Sequence, residues 1–178
     1  LGAIIGAASG GGRGAGVGAA AGAGAGAIAG TIIGYSRAWN HCLAMLSDLK
    51  TYPVADYKNT AQSIKYQPAQ GNVVKLQNLA VNPKLAYPGN NIQLTGEYIV
   101  MNPDEKAQDI KVLIERGVSP FDPEKKAFIP PSRYEPTEKV IDASNRTNKL
   151  DGNFELPQDV PDGDYKLMVR VTALDKTV

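Results

Sequence analysis

The sequence predicts a chain in two parts, a membrane-embedded α-helical hairpin followed by an all-β sandwich. Three observations carry this. Nine glycines recur at every fourth residue between Gly2 and Gly34. Composition then shifts: 13 of the 19 glycines lie in the first 34 residues, and 11 of the 12 prolines lie from residue 68 onward. From residue 73 the apolar residues alternate with period two between turn strings, the pattern of half-buried strands. The expected units are a hairpin over 1–35, an amphipathic helix over 36–50, a connector over 51–72 and a sandwich over 73–178.

The register comprises Gly2, Gly6, Gly10, Gly14, Gly18, Gly22, Gly26, Gly30 and Gly34. Residues i and i+4 share a helix face, so on a helix these glycines form one bare groove. Nine interior glycines cost about 9 kcal/mol relative to alanine in a water-exposed helix. A helix packed against neighbours in lipid recovers that loss through close backbone approach. A silk-like strand is the competing reading, on the alternation GAGAGA at Gly22 to Ala27. A flexible linker would carry more Ser and other polar residues. A phosphate loop is set aside because GGRGAG lacks the following Lys and Ser/Thr.

Residues 10–13 hold three glycines and Arg13, the turn of the expected hairpin at the membrane surface. Residues 14–35 are free of charge and would span about 33 Å as a helix. Tyr35, Arg37 and Trp39 follow directly, as aromatic and cationic anchors do at a membrane interface. Large apolar residues are sparse in this span, which makes it a weak stop signal during insertion. The outer membrane of a bacterial envelope is therefore the expected location, with the β-domain periplasmic or surface-exposed.

The run GAIIGAASGGGRGAGVGAAAGAGAGAIAGTIIG resembles the glycine-zipper two-helix region of Gram-negative envelope proteins, a group that includes rickettsial surface antigens. The matching residues are Gly2 and Gly6 before the turn, Gly10 to Gly14 across it and Gly18 to Gly34 after it. The first helix is short here and is expected to begin before Leu1. The resemblance implies an envelope protein that self-associates, with no catalytic residues to carry over.

Over 36–50 the spacing of Trp39, Cys42, Leu43, Leu46 and Leu49 predicts a helix. Cys42 is the single cysteine, which excludes a disulfide framework within one chain. It reads as a small apolar residue on a helix face, and the lone His41 as a surface histidine. Residues 51–72 are mixed and polar and read as a connector with one helical turn.

In the sandwich, VVKLQNLAV and the turn YPGNN precede a strand with Ile92, Leu94, Gly96, Tyr98 and Val100 on one face. Ile110, Val112 and Ile114 define the next strand; after Arg116 the prolines predict a loop or twisted edge. EKVID and GNFEL are short strands. The last strand alternates Tyr165, Leu167, Val169, Val171 and Ala173 with polar partners. Leu94, Tyr98, Val112, Tyr165, Leu167 and Val169 are the expected core. LPQDVPDGDYKLMVRV resembles the penultimate strand of immunoglobulin-like domains, with Tyr165 at the corner position and Leu167 two residues on. Such a sandwich needs one further strand. It is expected beyond Val178, and an earlier segment or a neighbouring subunit are the alternatives.

The formal net charge of +1 gives no basic field for nucleic acid. No nucleophile motif surrounds His41, and the carboxylates at Asp104, Glu105, Asp159, Asp162 and Asp164 sit in turn strings without calcium-loop spacing. Arg116, Arg133, Lys125 and Lys126 read as solvated charges. The expectation is a non-enzymatic self-assembling protein without cofactor or metal. Its expected partners are its own copies, the bilayer and other envelope proteins. A pore and a tethered binding module, the latter using Phe128 and Tyr134 as contacts, are the competing readings.

Overall fold

A computed structural model of the chain describes residues 3–9, 49–131, 133–160 and 162–178. These form a β-sandwich-like fold of two sheets. The smaller sheet has the order β2 (Lys50–Ala55), β9 (Thr147–Glu155), β5 (Asn91–Met101), β3 (Val73–Asn82), all antiparallel. In the larger sheet β10 (Asp164–Ala173) pairs with β6 (Ile110–Asp122), and β6 pairs on its far side with β8 (Glu135–Ile141) and β7 (Ala127–Phe128). The near side of β10 carries β1 (Ala3–Ser9) and β11 (Lys176–Thr177), and β1 pairs outward with β4 (Leu85–Ala86).

Alternation explains the core. Along β10 the residues from Tyr165 to Ala173 are buried at every second position. They meet the inward face of the smaller sheet, so that Ile92, Leu94, Tyr98, Val100, Leu150 and Phe154 pack with Val112, Ile114, Leu167, Val169 and Val171 in one cluster. Each such aliphatic side chain stabilises by about 1.5–3 kcal/mol on full burial. The six residues expected in the core, Leu94, Tyr98, Val112, Tyr165, Leu167 and Val169, are each at most 1% exposed.

The end of β5 is buried on both faces. Tyr98 and Val100 point inward, while Ile99 and Met101 are covered by α1 (Tyr57–Ile64) and Tyr66. Asp56 caps α1 by accepting from the Asn59 N–H at 2.9 Å, and Lys65 ends it in the left-handed region at φ 54°. Tyr57, Ala61 and Ile64 form its apolar stripe. The stretch read from sequence as a connector thus carries a strand, β2, and an eight-residue helix.

Two strands run further than their sequence suggests. β6 continues past Arg116 through Pro120 to Asp122. Pro120 lies opposite Tyr165, whose backbone groups face away from β6, so this pair asks no N–H of the proline. Pro120 O accepts from the Ile129 N–H at 2.8 Å. β9 begins at Thr147, opposite Ala55 of β2 and Ile99 of β5, and the Thr147 hydroxyl is buried against that of Thr60 at 2.8 Å.

The expected helical hairpin is corrected. Its first arm, read as helical and including Gly6, is the strand β1, with Gly6 opposite Lys166 of β10. Adjacent β-branched Ile4 and Ile5 favour an extended backbone over a helix. The edge of β10 offers it ladder hydrogen bonds instead. Gly2, Gly10, Gly14, Gly18, Gly22, Gly26, Gly30 and Gly34 lie outside the described residues, as do Arg13, Tyr35, Arg37 and Trp39. Among the described residues no helix is long and apolar enough to cross a membrane.

Candidate functional site

The feature with most potential for interaction is the edge of β10 that faces away from β6. Val171 donates its N–H to Val178 O at 2.9 Å and accepts from the Val178 N–H at 3.0 Å. Backbone groups of alternate strand residues point to alternate sides. The N–H and C=O of Val169, Leu167 and Tyr165 therefore face the same edge as Val171. All three side chains are buried, so leaving their backbone groups without partners in this setting is costly.

Two segments from distant parts of the chain share this edge. β11 returns antiparallel, Lys176 opposite Ala173 and Thr177 opposite Thr172. β1 runs parallel, from Ile4 opposite Asp164 to Ser9 opposite Val169. Among the described residues every other pairing is antiparallel, and the parallel one is made by residues separated from β2 in sequence by a long Gly/Ala-rich stretch. Over six positions an earlier segment thus occupies this edge, one of the alternatives for the further strand of the sandwich.

The sheet edges at β2, β3 and β8 carry devices that discourage strand addition. β2 has Pro53 and a register shift between Pro53 and Ala55. β3 bulges between Gln77 and Ala80, with Asn78 at φ 55° and its amide donating to Glu97 Oε2 at 3.0 Å. β8 carries Pro136 with the charged Glu138 and Lys139. β10 has no proline, and its pairing with β6 is regular over nine positions.

On the outward face of the larger sheet the two aromatics proposed as ligand contacts are each covered by a cation. Lys166 Nζ lies 4.1 Å from the Phe128 ring centre, and the Arg170 guanidinium lies 3.9 Å from that of Tyr134. Arg170 also donates through Nη2 and Nε to Glu115 Oε2, at 2.7 and 3.2 Å. Arg133 pairs with Glu135. Arg116 differs from its expected role as a solvated charge: it is 1% exposed, donates to Glu135 O at 3.1 Å, and burial lowers its pKa to about 10. Its inward position follows from strand parity with Val112 and Ile114, a signal masked in the sequence by the charge itself.

At one end of the sandwich Arg146 is fully buried, donates to Ala107 O at 2.8 Å and lies 5.6 Å from the Tyr57 ring centre. Desolvation lowers its pKa. An open cleft of about 570 Å³ lies nearby, lined by Asn102, Gln108, Asp109, Lys111, Glu138 and Asp175 among others. The described residues contain no His or Cys, His41 and Cys42 lying outside them. Asp104 accepts from the Lys106 N–H and Asp142 from the Ser144 N–H, both as turn caps. The Ser144 hydrogen bonds lower the Asp142 pKa. Among the described residues no three His, Cys, Asp or Glu side chains are placed to hold a metal ion.

No family model, no curated protein and no solved structure matches the chain.

Proposed function

We propose that this chain is a non-enzymatic, self-associating module of the bacterial cell envelope, with an immunoglobulin-like sandwich as its interaction surface. The observation that carries the reading is the edge of β10, completed from Asp164 to Val169 by a strand from the far end of the chain, beside the hairpin partner β11. Sheets that take a strand from elsewhere use main-chain hydrogen bonds for affinity, which suits assembly. The cations over Phe128 and Tyr134 favour this reading over a ligand-stacking module, because one face of each ring is already engaged.

The envelope location belongs to the same proposal. It rests on the charge-free stretch from Gly14 to Tyr35 and on the Tyr35, Arg37 and Trp39 cluster that follows. The likeness of the Gly/Ala run to glycine-zipper envelope proteins supports self-association, with no helical hairpin required.

The test is the native mass of the full chain, by light scattering after size exclusion, with and without detergent and over a dilution series. A defined oligomer that dissociates on dilution is expected. A monomer at every concentration in both media overturns the reading.

A further inference from the structure

We infer that the β10 edge from Asp164 to Val169 is a strand-acceptor site, and that its occupant in the assembly is residues 3–9 of a second copy of this chain. The inference rests on the self-association proposed above and names the surface that produces it.

The argument starts from the backbone. β6 satisfies one side of β10, and the other side presents the groups of Tyr165, Leu167 and Val169. β11 covers the edge only from Val171 to Ala173. The segment that fills the remainder is β1, and its ladder with β10 consists of main-chain bonds that any copy of residues 3–9 can make identically. Exchange of an identical element between copies therefore conserves the contacts, which makes it a low-cost route to an oligomer.

What differs between own strand and neighbour's strand is the connection. Residues 10–49 join β1 to β2. Closing a loop of that length costs on the order of 3 kcal/mol plus a constant in chain entropy. A neighbour's strand avoids this closure and is opposed instead by dilution. Local concentration therefore decides the occupant, and copies gathered at one surface favour the neighbour. The edges at β2, β3 and β8 support the same choice: Pro53, the β3 bulge and Pro136 each impede an added strand, whereas β10 is regular and free of proline. Residues 3–9 carry no charge and no proline, as a strand passed between copies requires.

The experiment uses full chains with Cys42→Ser to remove the native thiol. One chain carries Ala8→Cys and the other Met168→Cys, register partners across β1 and β10. The two are co-expressed, oxidised, and run without reductant. A disulfide-linked dimer containing one chain of each kind is expected, and its share is expected to rise with total concentration. A control mixture of Ala8→Cys with Thr137→Cys, on β8 beyond β6, is expected to give no such dimer. Gly6→Cys with Lys166→Cys is a second register pair, should the first disturb folding. The inference is overturned if neither mixture links while single chains carrying both cysteines close internally. In that case an oligomer by native mass leaves self-association standing on another surface, and a monomer by native mass removes both.

Discussion

Ser9 and Val178 end against the same edge of β10, at next-but-one positions. Ser9 is opposite Val169, and Val178 exchanges both backbone hydrogen bonds with Val171. One strand edge is thereby completed by two segments of opposite direction, one from residues 3–9 and one from residues 176–178. This places the only parallel pairing among the described residues beside a regular antiparallel ladder. It makes β10 the element on which the assembly proposal depends.

Gly117 is required by the Pro131 ring. A Cβ there would lie 2.7 Å from Pro131 Cβ, 2.9 Å from its Cγ and 3.1 Å from Tyr134 Cδ1. A proline ring has little freedom to retreat, so Gly117→Ala is expected to lower stability by about 1–3 kcal/mol. Gly96→Ala meets mainly Leu79 Cδ1, at 2.9 Å, a side-chain end that can turn away. It is expected to cost less. Urea denaturation of both variants checks the order.

Tyr98 links stability to alkaline pH. Burial, partly offset by the Thr51 side chain, raises its phenol from 10.0 to about 12. The folded state holds this proton where the unfolded state releases it. The contribution is complete below pH 10 and is lost as pH rises through about 12. Two units correspond to about 2–3 kcal/mol. Tyr98→Phe is expected to change stability by no more than about 1 kcal/mol at pH 7, the net worth of one hydrogen bond to the Thr51 side chain. It is expected to flatten the fall in stability between pH 10 and 12. An equally steep fall in the variant, measured by chemical denaturation against pH, contradicts this assignment.

The Thr60 and Thr147 hydroxyls bond to each other at 2.8 Å in a buried position between α1 and β9. Thr60→Val leaves the Thr147 oxygen without that partner and is expected to cost about 1–3 kcal/mol. Adding Thr147→Val removes both polar groups and is expected to restore part of the loss. A double-mutant cycle reads the coupling.

Arg170 acts through packing as well as charge. Its pair with Glu115 is partly exposed, so Glu115→Gln is expected to cost about 0.2–1 kcal/mol, less at high salt. Arg170→Lys keeps the charge and loses the planar group over Tyr134 at 3.9 Å. It is expected to cost at least as much, with little dependence on salt. Thermal melts at two salt concentrations separate the two effects.

The β part of the chain is legible because period-two alternation is what one buried face writes into a strand. Tyr165 to Ala173 follows it without exception, and β10 occupies those residues. The pattern is obscured where a polar or charged residue is buried. Thr147 and Asn148 hide the start of β9, and Arg116 hides the inward face of β6. Pro120 reads as a strand end but lies at a pair that needs no N–H. α1 is inconspicuous because its stripe of Tyr57, Ala61 and Ile64 is short and covers only the outer side of β5. At the other end, a four-residue glycine register fits helix packing in any window. It contains nothing about the β10 edge, and residues 3–9 pair with that edge as a strand. The candidate site is therefore a tertiary property, legible in sequence only as an incomplete sandwich.

The most direct measurement is amide hydrogen exchange on the full chain, resolved by residue along β10. Lys166 and Met168 face β6, while Tyr165, Leu167 and Val169 face the edge filled by β1. The account predicts slow exchange at all five, with protection of the latter three falling on dilution where a neighbour supplies the strand. Fast exchange at Tyr165, Leu167 and Val169 at every concentration, beside slow exchange at Lys166 and Met168, would mean that no strand occupies the edge and would contradict the account.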